Sequence, residues 1–580
     1  MKMGEEGTKS EMNNELQLET EHPSPNEHDE DPNKLTWKID DKPPIALSLI
    51  LGFQHYLTMF GSTLALPFAL SAHLCVEADN FLAISQLLGT IFFVSGIATF
   101  LQCTVGVRLP IIQGGTFSFL APTIALLSQD PSCEPVSGEV VWHRKICQVQ
   151  GAILIASLLQ VLVGFTGLMG WMLKYVGPLC IAPTITLVGL ALFEEATSFA
   201  QYNWGVSLMT FALIALFSQY LVRISIPVPG SSSKVPIFKL FPVILAVLTS
   251  WFICAVLTWT GLLSEEKGSA GYAARVDTKI DVILQSPWIR IPYPFQWGLP
   301  TFSMAGAIGM MAGVLASMLE SIGDYYACAR LSGAGKPELH AVNRGILVEG
   351  LCCMVAAVFG TGNGTTSYSE NVGAIGITKV GSRRVIQWAA LMMVVLGCLG
   401  KFGAVFTTIP TPIIGGVFFC MFGMITGVGL SNLQMVDLKS SRNLFVLGVS
   451  IFVGIALPKW MQKPENVIDL GNDQASQIVT VLLSTSMFIG GVTGFILDNT
   501  IPGSRQERGL VAWNDSCDIT SDSSDTDSQS RRDKTYDVPY VENLARKLTF
   551  IQLLPVCPNY SKRNKGKSKK KSSEKDEHCV

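Results

Sequence analysis

Most of this chain is a succession of apolar runs, each near the length that a helix needs to cross a bilayer. Seven cover roughly residues 45–70, 82–102, 110–127, 150–170, 175–198, 205–222 and 241–262. A polar stretch at 263–300 follows, and then seven more at roughly 302–328, 344–360, 365–378, 386–408, 412–433, 442–458 and 477–497. A spanning helix takes about 20 residues, and in lipid only helices or closed barrels satisfy their own backbone hydrogen bonds. The chain is therefore expected to be an all-α polytopic membrane protein with fourteen transmembrane segments in two halves of seven. An odd number of spans per half forces the halves into opposite orientations, which is an inverted repeat. Of the 580 residues, 48% are hydrophobic and 15% charged, with most of the charge at the two ends. That balance overrules the several soluble domains that length alone suggests. The net charge of −3 gives no reason to expect a nucleic-acid partner.

Residues 1–44 are polar and acidic and lack the pattern of a cleaved signal peptide, so they read as a disordered cytoplasmic arm. The first apolar run then acts as a signal anchor. An even number of spans puts both termini on one side. With that side cytoplasmic, the short inner loops hold thirteen Lys and Arg against nine outside, and four of the nine lie in the longest loop. Long loops weigh little under the positive-inside rule. The run Lys562–Lys571 is either a solvated tail or a segment drawn to anionic inner-leaflet lipid. The fourteen cysteines form no Cys-x-x-Cys pair, which argues against a zinc site. Cys75, Cys133 and Cys147 fall in predicted external segments, and Cys75 has either of the other two as a disulfide partner.

Two segments in matching places are short and interrupted by Gly or Pro. Leu109–Pro122 is third in the first half, and Gly360–Asn371 opens the third of the second half. A matched pair of broken segments points to a transporter site near the bilayer midplane. Unwound backbone cannot face lipid, so it lines a cavity enclosed by protein. The half-helix that follows aims free N–H groups and its positive dipole end into that cavity. The plainer alternative is that these glycines serve only close helix packing.

Polar side chains within the apolar runs sharpen this. An ionisable group at membrane depth costs about 2.5–3.5 kcal/mol on insertion scales, so Glu370 marks a substrate or ion site. Glu320 and Asp324 stand one turn apart on one helix face. Two like charges so close are not both ionised unless a cation or proton accompanies them, which suits cation coupling. Na⁺ near Asp324 is the expected ion, since hard cations take oxygen ligands. Carboxylates only accept hydrogen bonds, so the cargo presents N–H or O–H donors and carries no negative charge of its own. A nucleobase fits: its N–H groups meet Glu320 and Glu370, and backbone N–H groups meet its carbonyls. Phe117 and Tyr368 offer stacking faces or ordinary packing. His55 is a lone intramembrane histidine, either a hydrogen-bonded structural group or part of the coupling site. No metal-ligand cluster or nucleophile–base pair suggests an enzyme, and no resident cofactor is expected.

These residues resemble the nucleobase–ascorbate transporter family. Glu370, Asn371, Gly373, Thr378 and Lys379 fill every fixed position of its signature. The Gln54-His55 pair, the stretch Gln113–Phe119 and the stretch Glu320–Asp324 are similar to further family landmarks, in order, across about residues 40–555. The vertebrate branch is the nearest in Glu320–Arg330, Gly376–Arg384 and Phe422–Thr426. Its sodium–ascorbate transporters carry Pro where this chain has Glu370, and bulkier small residues at Gly114 and Gly115; at the decisive position the chain is similar to the sodium-dependent nucleobase carriers. The resemblance implies an elevator-type fold whose broken third and tenth segments are each a short strand plus a half-helix. It implies a core domain from 45–170 and 301–408, a gate domain from 171–262 and 409–497, an extracellular loop at 263–300 and a cytoplasmic tail from 498 to 580. It also implies a homodimer through the gate. Glu320 and Glu370 would bind the base, with Ser369 and the backbone at Phe117 beside it. Asp324 replaces a histidine of the proton-coupled relatives, which favours Na⁺. The expected activity is sodium-dependent import of uracil, thymine, guanine, hypoxanthine and xanthine at the plasma membrane. A sodium–ascorbate transporter is the alternative. An anion exchanger on the same fold is disfavoured, because no basic residue lies between Thr361 and Thr378.

Overall fold

The computed structural model describes residues 35–76, 80–130, 132–134, 140–227, 234–463, 466, 468–511, 535–538 and 554–557. Its main helices are α1 (Ile45–Ser71), α2 (Phe81–Thr104), α3 (Leu120–Leu127), α4 (Val141–Thr166), α5 (Pro178–Leu190), α6 (Phe193–Ala200), α7 (Trp204–Ala215) and α8 (Pro242–Trp259). They continue with α9 (Met304–Leu331), α10 (Leu339–Phe359), α11 (Ser369–Thr378), α12 (Arg383–Cys398), α13 (Gly400–Thr407), α14 (Thr411–Ser431), α15 (Ser441–Met461), α16 (Asp473–Ser484) and α17 (Ser486–Thr500). Strands β1 (Gln113–Gly115) and β2 (Thr365–Ser367) pair antiparallel, Gln113 opposite Ser367 and Gly115 opposite Thr365.

Nine helices among the described residues are long and apolar enough to cross a membrane, with α16 and α17 a tenth if that pair, bent by 81°, is one span. The remaining expected segments are present in shorter form. The third and tenth are each a strand followed by a short helix, the sixth is short, and the eleventh breaks between α12 and α13 at Leu399. The breaks follow the sequence: Pro110 with Gly114 and Gly115 interrupts the third run, Gly360, Gly362 and Gly364 interrupt the tenth, and residues so clustered disfavour a helix.

Two groups of helices pack among themselves. In one, α4 lies on α9 and α10, and α12 lies on α1 and α2. In the other, α14 lies on α5 and α7, and α17 on α5 and α15. Small residues bring α2 and α12 together: a Cβ on Gly96 would lie 2.6 Å from the Ala390 carbonyl oxygen, and one on Gly397 2.6 Å from the Phe93 nitrogen. Without a hydrophobic drive between helices in lipid, such close backbone approach supplies the association.

The end of the N-terminal arm departs from expectation. Residues 36–41 are not a free arm but pair with the segment after α11. The Thr36 N–H donates to the Lys379 carbonyl (2.9 Å), Gly381 to Trp37 (2.9 Å) and Arg383 to Ile39 (3.1 Å), and Arg383 pairs with Asp40. Backbone pairing and burial of Ile39 offset the ordering entropy. Residues 1–34 lie outside the described residues, as does the run 562–571. At the other end α17 runs on to Thr500, and Asp498 is buried between Arg442 and Arg508 (both 2.9 Å). Further on, Tyr536 is 1% exposed and donates to the Gly335 carbonyl (2.7 Å), while Arg344 donates to the Tyr536 carbonyl (2.6 Å). Both described ends therefore sit on the face that carries Arg344 and Arg383.

On the opposite face Cys75 is bonded to Cys133. Cys147 stays a thiol inside α4, directed at the Trp297 carbonyl (3.6 Å). The 263–300 loop is packed: Trp297 donates to the Gly360 carbonyl (2.8 Å), and buried Lys279 donates to the Ile409 carbonyl (3.3 Å) and the Thr411 hydroxyl (3.2 Å). Burial lowers the Lys279 ammonium to about 8. The unfolded chain, near 10.4, then holds more protons between those values, so Lys279 makes stability rise with pH across that window. Thermal unfolding of purified protein at pH 7.5 and 9.5 checks this: the gain on raising pH is expected to be larger in wild type than in Lys279→Met.

Candidate functional site

The two strands cross where the third and tenth segments meet. Gln113 holds that crossing: its N–H donates to the Thr99 hydroxyl (2.9 Å) and its side-chain amide to the Ser367 hydroxyl (3.1 Å). Beyond β1 the chain turns through Phe117 and Ser118 into α3, and beyond β2 it enters α11 at Ser369. The starts of both half-helices thus flank the crossing, with α9 beside them. That is the arrangement the broken segments predicted, and its non-helical backbone is enclosed by protein.

Three acidic side chains gather there. Glu370, in the first turn of α11, accepts a hydrogen bond from the Ser62 hydroxyl of α1 (3.0 Å). Glu320 of α9 accepts from Ser118 (3.3 Å). Asp324, one turn along α9 and buried, accepts from Ser369 through Oδ1 (2.7 Å), while its Oδ2 is buried with no donor among the described residues. An orphaned buried carboxylate oxygen fits a cation ligand, since such groups are otherwise satisfied. Among the described residues no group of three or more His, Cys, Asp or Glu could hold a metal ion. A Na⁺ at Asp324 would therefore be completed by hydroxyl and backbone oxygens.

The other expected residues separate by role. Phe117 meets Phe422 of α14 edge-on at 5.5 Å and 83°. Tyr368 is packed beneath the crossing instead of offering a free face: its hydroxyl donates to the Gly115 carbonyl (2.6 Å) and lies 3.2 Å from the Thr63 hydroxyl. A Cβ on Gly114 would sit 2.6 Å from the Tyr368 ring, so the bare glycine and the buried tyrosine are complementary in size. His55 meets Asn371. The Asn371 amide donates to the His55 carbonyl (2.8 Å) and lies 3.3 Å from the imidazole Nδ1, which ties α11 to α1. Thr378 donates to the Ala374 carbonyl (3.0 Å) at the end of α11, where Lys379 takes a left-handed φ of 56° and terminates the helix. Gly373 is exposed, and a Cβ there would meet nothing within 4 Å. Packing thus accounts for Gly114 but not for Gly373.

Sequence reasoning passed over Ser62 and Ser118, whose roles depend on contacts across 308 and 202 residues. It also passed over Glu349 of α10, which is 1% exposed. This carboxylate accepts from Gln160 (2.9 Å), Ser321 (2.6 Å) and Tyr325 (3.1 Å). Ser321 in turn accepts from the Ser367 N–H (3.3 Å) and lies 2.9 Å from the Thr366 hydroxyl, both in β2. Glu349 thereby anchors the crossing from behind. Its signal was available, because it is an acid inside an apolar run like Glu370.

A profile of the Permease family matches residues 47–463. Mouse solute carrier family 23 member 1 is 48% identical over 543 residues, covering 90% of this chain and 89% of the relative. Nucleobase-ascorbate transporter 1 of Arabidopsis thaliana is 34% identical, covering 83% of this chain and 92% of the relative. Among solved structures, the transmembrane domain of the cyanobacterial bicarbonate transporter BicA aligns with a TM-score of 0.41 at 16% identity, covering 77% of this chain and 97% of that one. The protein is thus a polytopic helical membrane transporter and not an enzyme. It belongs to the Permease family, in the group that holds solute carrier family 23 member 1 and the plant nucleobase-ascorbate transporters.

Proposed function

We propose that the chain is a sodium-coupled symporter that imports a neutral nucleobase across the plasma membrane, with both termini cytoplasmic. The observation that carries this reading is the placement of Glu320 and Glu370 at the strand crossing, each held by one serine. Each carboxylate keeps acceptor capacity for a cargo N–H. The first-turn N–H groups of α11 suit the cargo's carbonyls. Uracil, thymine and the oxopurines guanine, hypoxanthine and xanthine all present that pattern.

In this reading the helices around α1, α2, α4, α9, α10 and α12 form the core, and those around α5, α7, α14, α15 and α17 form the gate. Every acidic site residue lies on the core, and contacts such as Ser62 Oγ to Met421 Sδ (3.8 Å) and Phe117 to Phe422 link it to α14 of the gate. Movement of the core against the gate would carry the site across the membrane, with the gate pairing two copies. Na⁺ is the co-substrate at Asp324. Asp324→Asn is expected to raise the Na⁺ concentration for half-maximal uptake about 10-fold or more while leaving cargo selectivity in place, as loss of roughly 1.4 kcal/mol of ion binding requires. A Na⁺ titration of uptake checks it, and an unchanged response removes Asp324 from coupling.

Whole-chain likeness supports a second cargo, ascorbate, better than the first. The relative at 48% identity is a vertebrate solute carrier family 23 member, this chain's motifs are nearest to the vertebrate branch that holds the sodium–ascorbate transporters, and the plant relative's name pairs both cargoes. The site argues the other way, because ascorbate is an anion at neutral pH and Glu370 would repel it. Uptake of labelled uracil and labelled ascorbate, in Na⁺ and in choline, decides between them. Uracil uptake that collapses in choline supports the nucleobase reading. Ascorbate uptake in its place overturns it.

A further inference from the structure

Between α2 and α12, away from the strand crossing, runs an apolar groove of about 550 Å³. That volume lies within the range of about 300–1,000 Å³ typical of ligand pockets. Gly96, Phe100, Trp388, Leu391 and Val394 line it, and Arg384 stands at one end. Phe100 and Leu391 are each 49% exposed, so about half of each side chain is open to the groove. The contact of Gly96 with Ala390 forms its floor.

The groove has the dimensions of one bilayer leaflet. From Arg384 to Val394 the helix rises about 15 Å at 1.5 Å per residue, half of a hydrocarbon core about 30 Å thick. Arg384 is in the first turn of α12, on the face where residues 36–41 and Tyr536 dock, and Trp388 follows one turn later. A basic residue and a tryptophan in that order mark the headgroup level of a membrane protein. The two neighbouring arginines differ in their partners. Arg383 is engaged by Asp40 and by the Arg108 and Thr535 carbonyls. The Arg384 side chain makes no hydrogen bond or ion pair among the described residues. A guanidinium with no partner among the described residues, at the mouth of an apolar groove, complements a phosphate, which it can hold by two parallel hydrogen bonds.

We propose that this groove binds one anionic phospholipid, its headgroup on Arg384 and an acyl chain along Phe100, Leu391 and Val394. The lipid would brace α12 against α2. Because α12 also packs on α1, which carries Ser62, it would stiffen the helices behind the transport site. The inference holds whichever cargo is carried.

Native mass spectrometry of the full chain in detergent tests it, with phosphatidylserine and phosphatidylcholine of identical acyl chains as probes. The expected result is one phosphatidylserine retained per chain, about five-fold better than phosphatidylcholine, the factor one basic side chain supplies near anionic lipid. Arg384→Gln should erase the preference, Arg384→Lys should keep part of it, and Leu391→Trp, which fills the groove, should lower retention of both lipids. Unchanged lipid-free melting temperatures show that the variants are folded. Equal retention of both lipids by the wild type means annular lipid only and overturns the proposal. So does a phosphatidylserine preference that survives Arg384→Gln. Retention of cholesterol that displaces phosphatidylserine and is insensitive to Arg384→Gln assigns the groove to a sterol, with the same consequence.

Discussion

Glu370→Gln is expected to lower uptake of a neutral nucleobase by roughly 10- to 150-fold while the protein still reaches the cell surface. A hydrogen bond from a neutral donor to a charged acceptor is worth about 1.5–3 kcal/mol, and each 1.4 kcal/mol is a factor of ten. The amide preserves shape and can still accept from Ser62 through its oxygen, so the fold is spared. It replaces one acceptor oxygen with a donor, which faces a cargo N–H with a like group. Surface biotinylation alongside labelled uracil uptake separates the two effects. Normal uptake in this variant removes Glu370 from cargo binding. Ascorbate provides the converse control: if it is the cargo, loss of the negative charge raises its uptake.

Glu349→Ala should have the opposite profile, with failure of folding preceding failure of transport. The substitution strips the acceptor from Gln160, Ser321 and Tyr325 at once, in a position closed to water. Each buried polar group left unsatisfied costs about 1–3 kcal/mol. The sum is a large part of the roughly 5–15 kcal/mol by which a typical domain is stable. Surface expression should fall sharply and the melting temperature of purified protein should drop. Glu349→Gln, which keeps one acceptor oxygen, should lie between. A Glu349→Ala protein that is abundant, stable and active would show that the strand crossing needs no anchor from α10. Full stability with lost transport would move Glu349 from positioning the site into the site itself.

The two carboxylates show how far the chain can be read without its fold. Glu370 and Glu349 are equally visible as acids within apolar runs, because desolvation makes either one costly unless something specific surrounds it. What surrounds each is tertiary. Glu370 meets one serine and keeps acceptor capacity for a ligand, whereas Glu349 accepts from three donors on two helices. The breaks in the third and tenth segments were likewise legible, since closely spaced Gly and Pro disfavour a helix through backbone entropy and the missing N–H. That the two breaks pair as strands, with Gln113 opposite Ser367 across 254 residues, follows only from helix packing that brings them together. Tyr368 is legible as an aromatic near the site, but its burial under Gly114 depends on the strand register.

The apolar runs and their interruptions therefore determine by themselves that this is a helical membrane transporter with a polar site at two broken segments. Backbone hydrogen bonding in lipid leaves only helices and closed barrels, and runs of about 20 residues are too long for barrel strands. Only the tertiary structure decides which polar groups face a cargo, which are satisfied, and which ends dock. The pairing of Trp37 with Val380, the choice of Cys133 over Cys147 for Cys75 and the serines that hold Glu320 and Glu370 all join residues far apart in the chain. Local composition carries no information about such partners, because their meeting depends on how every helix between them packs.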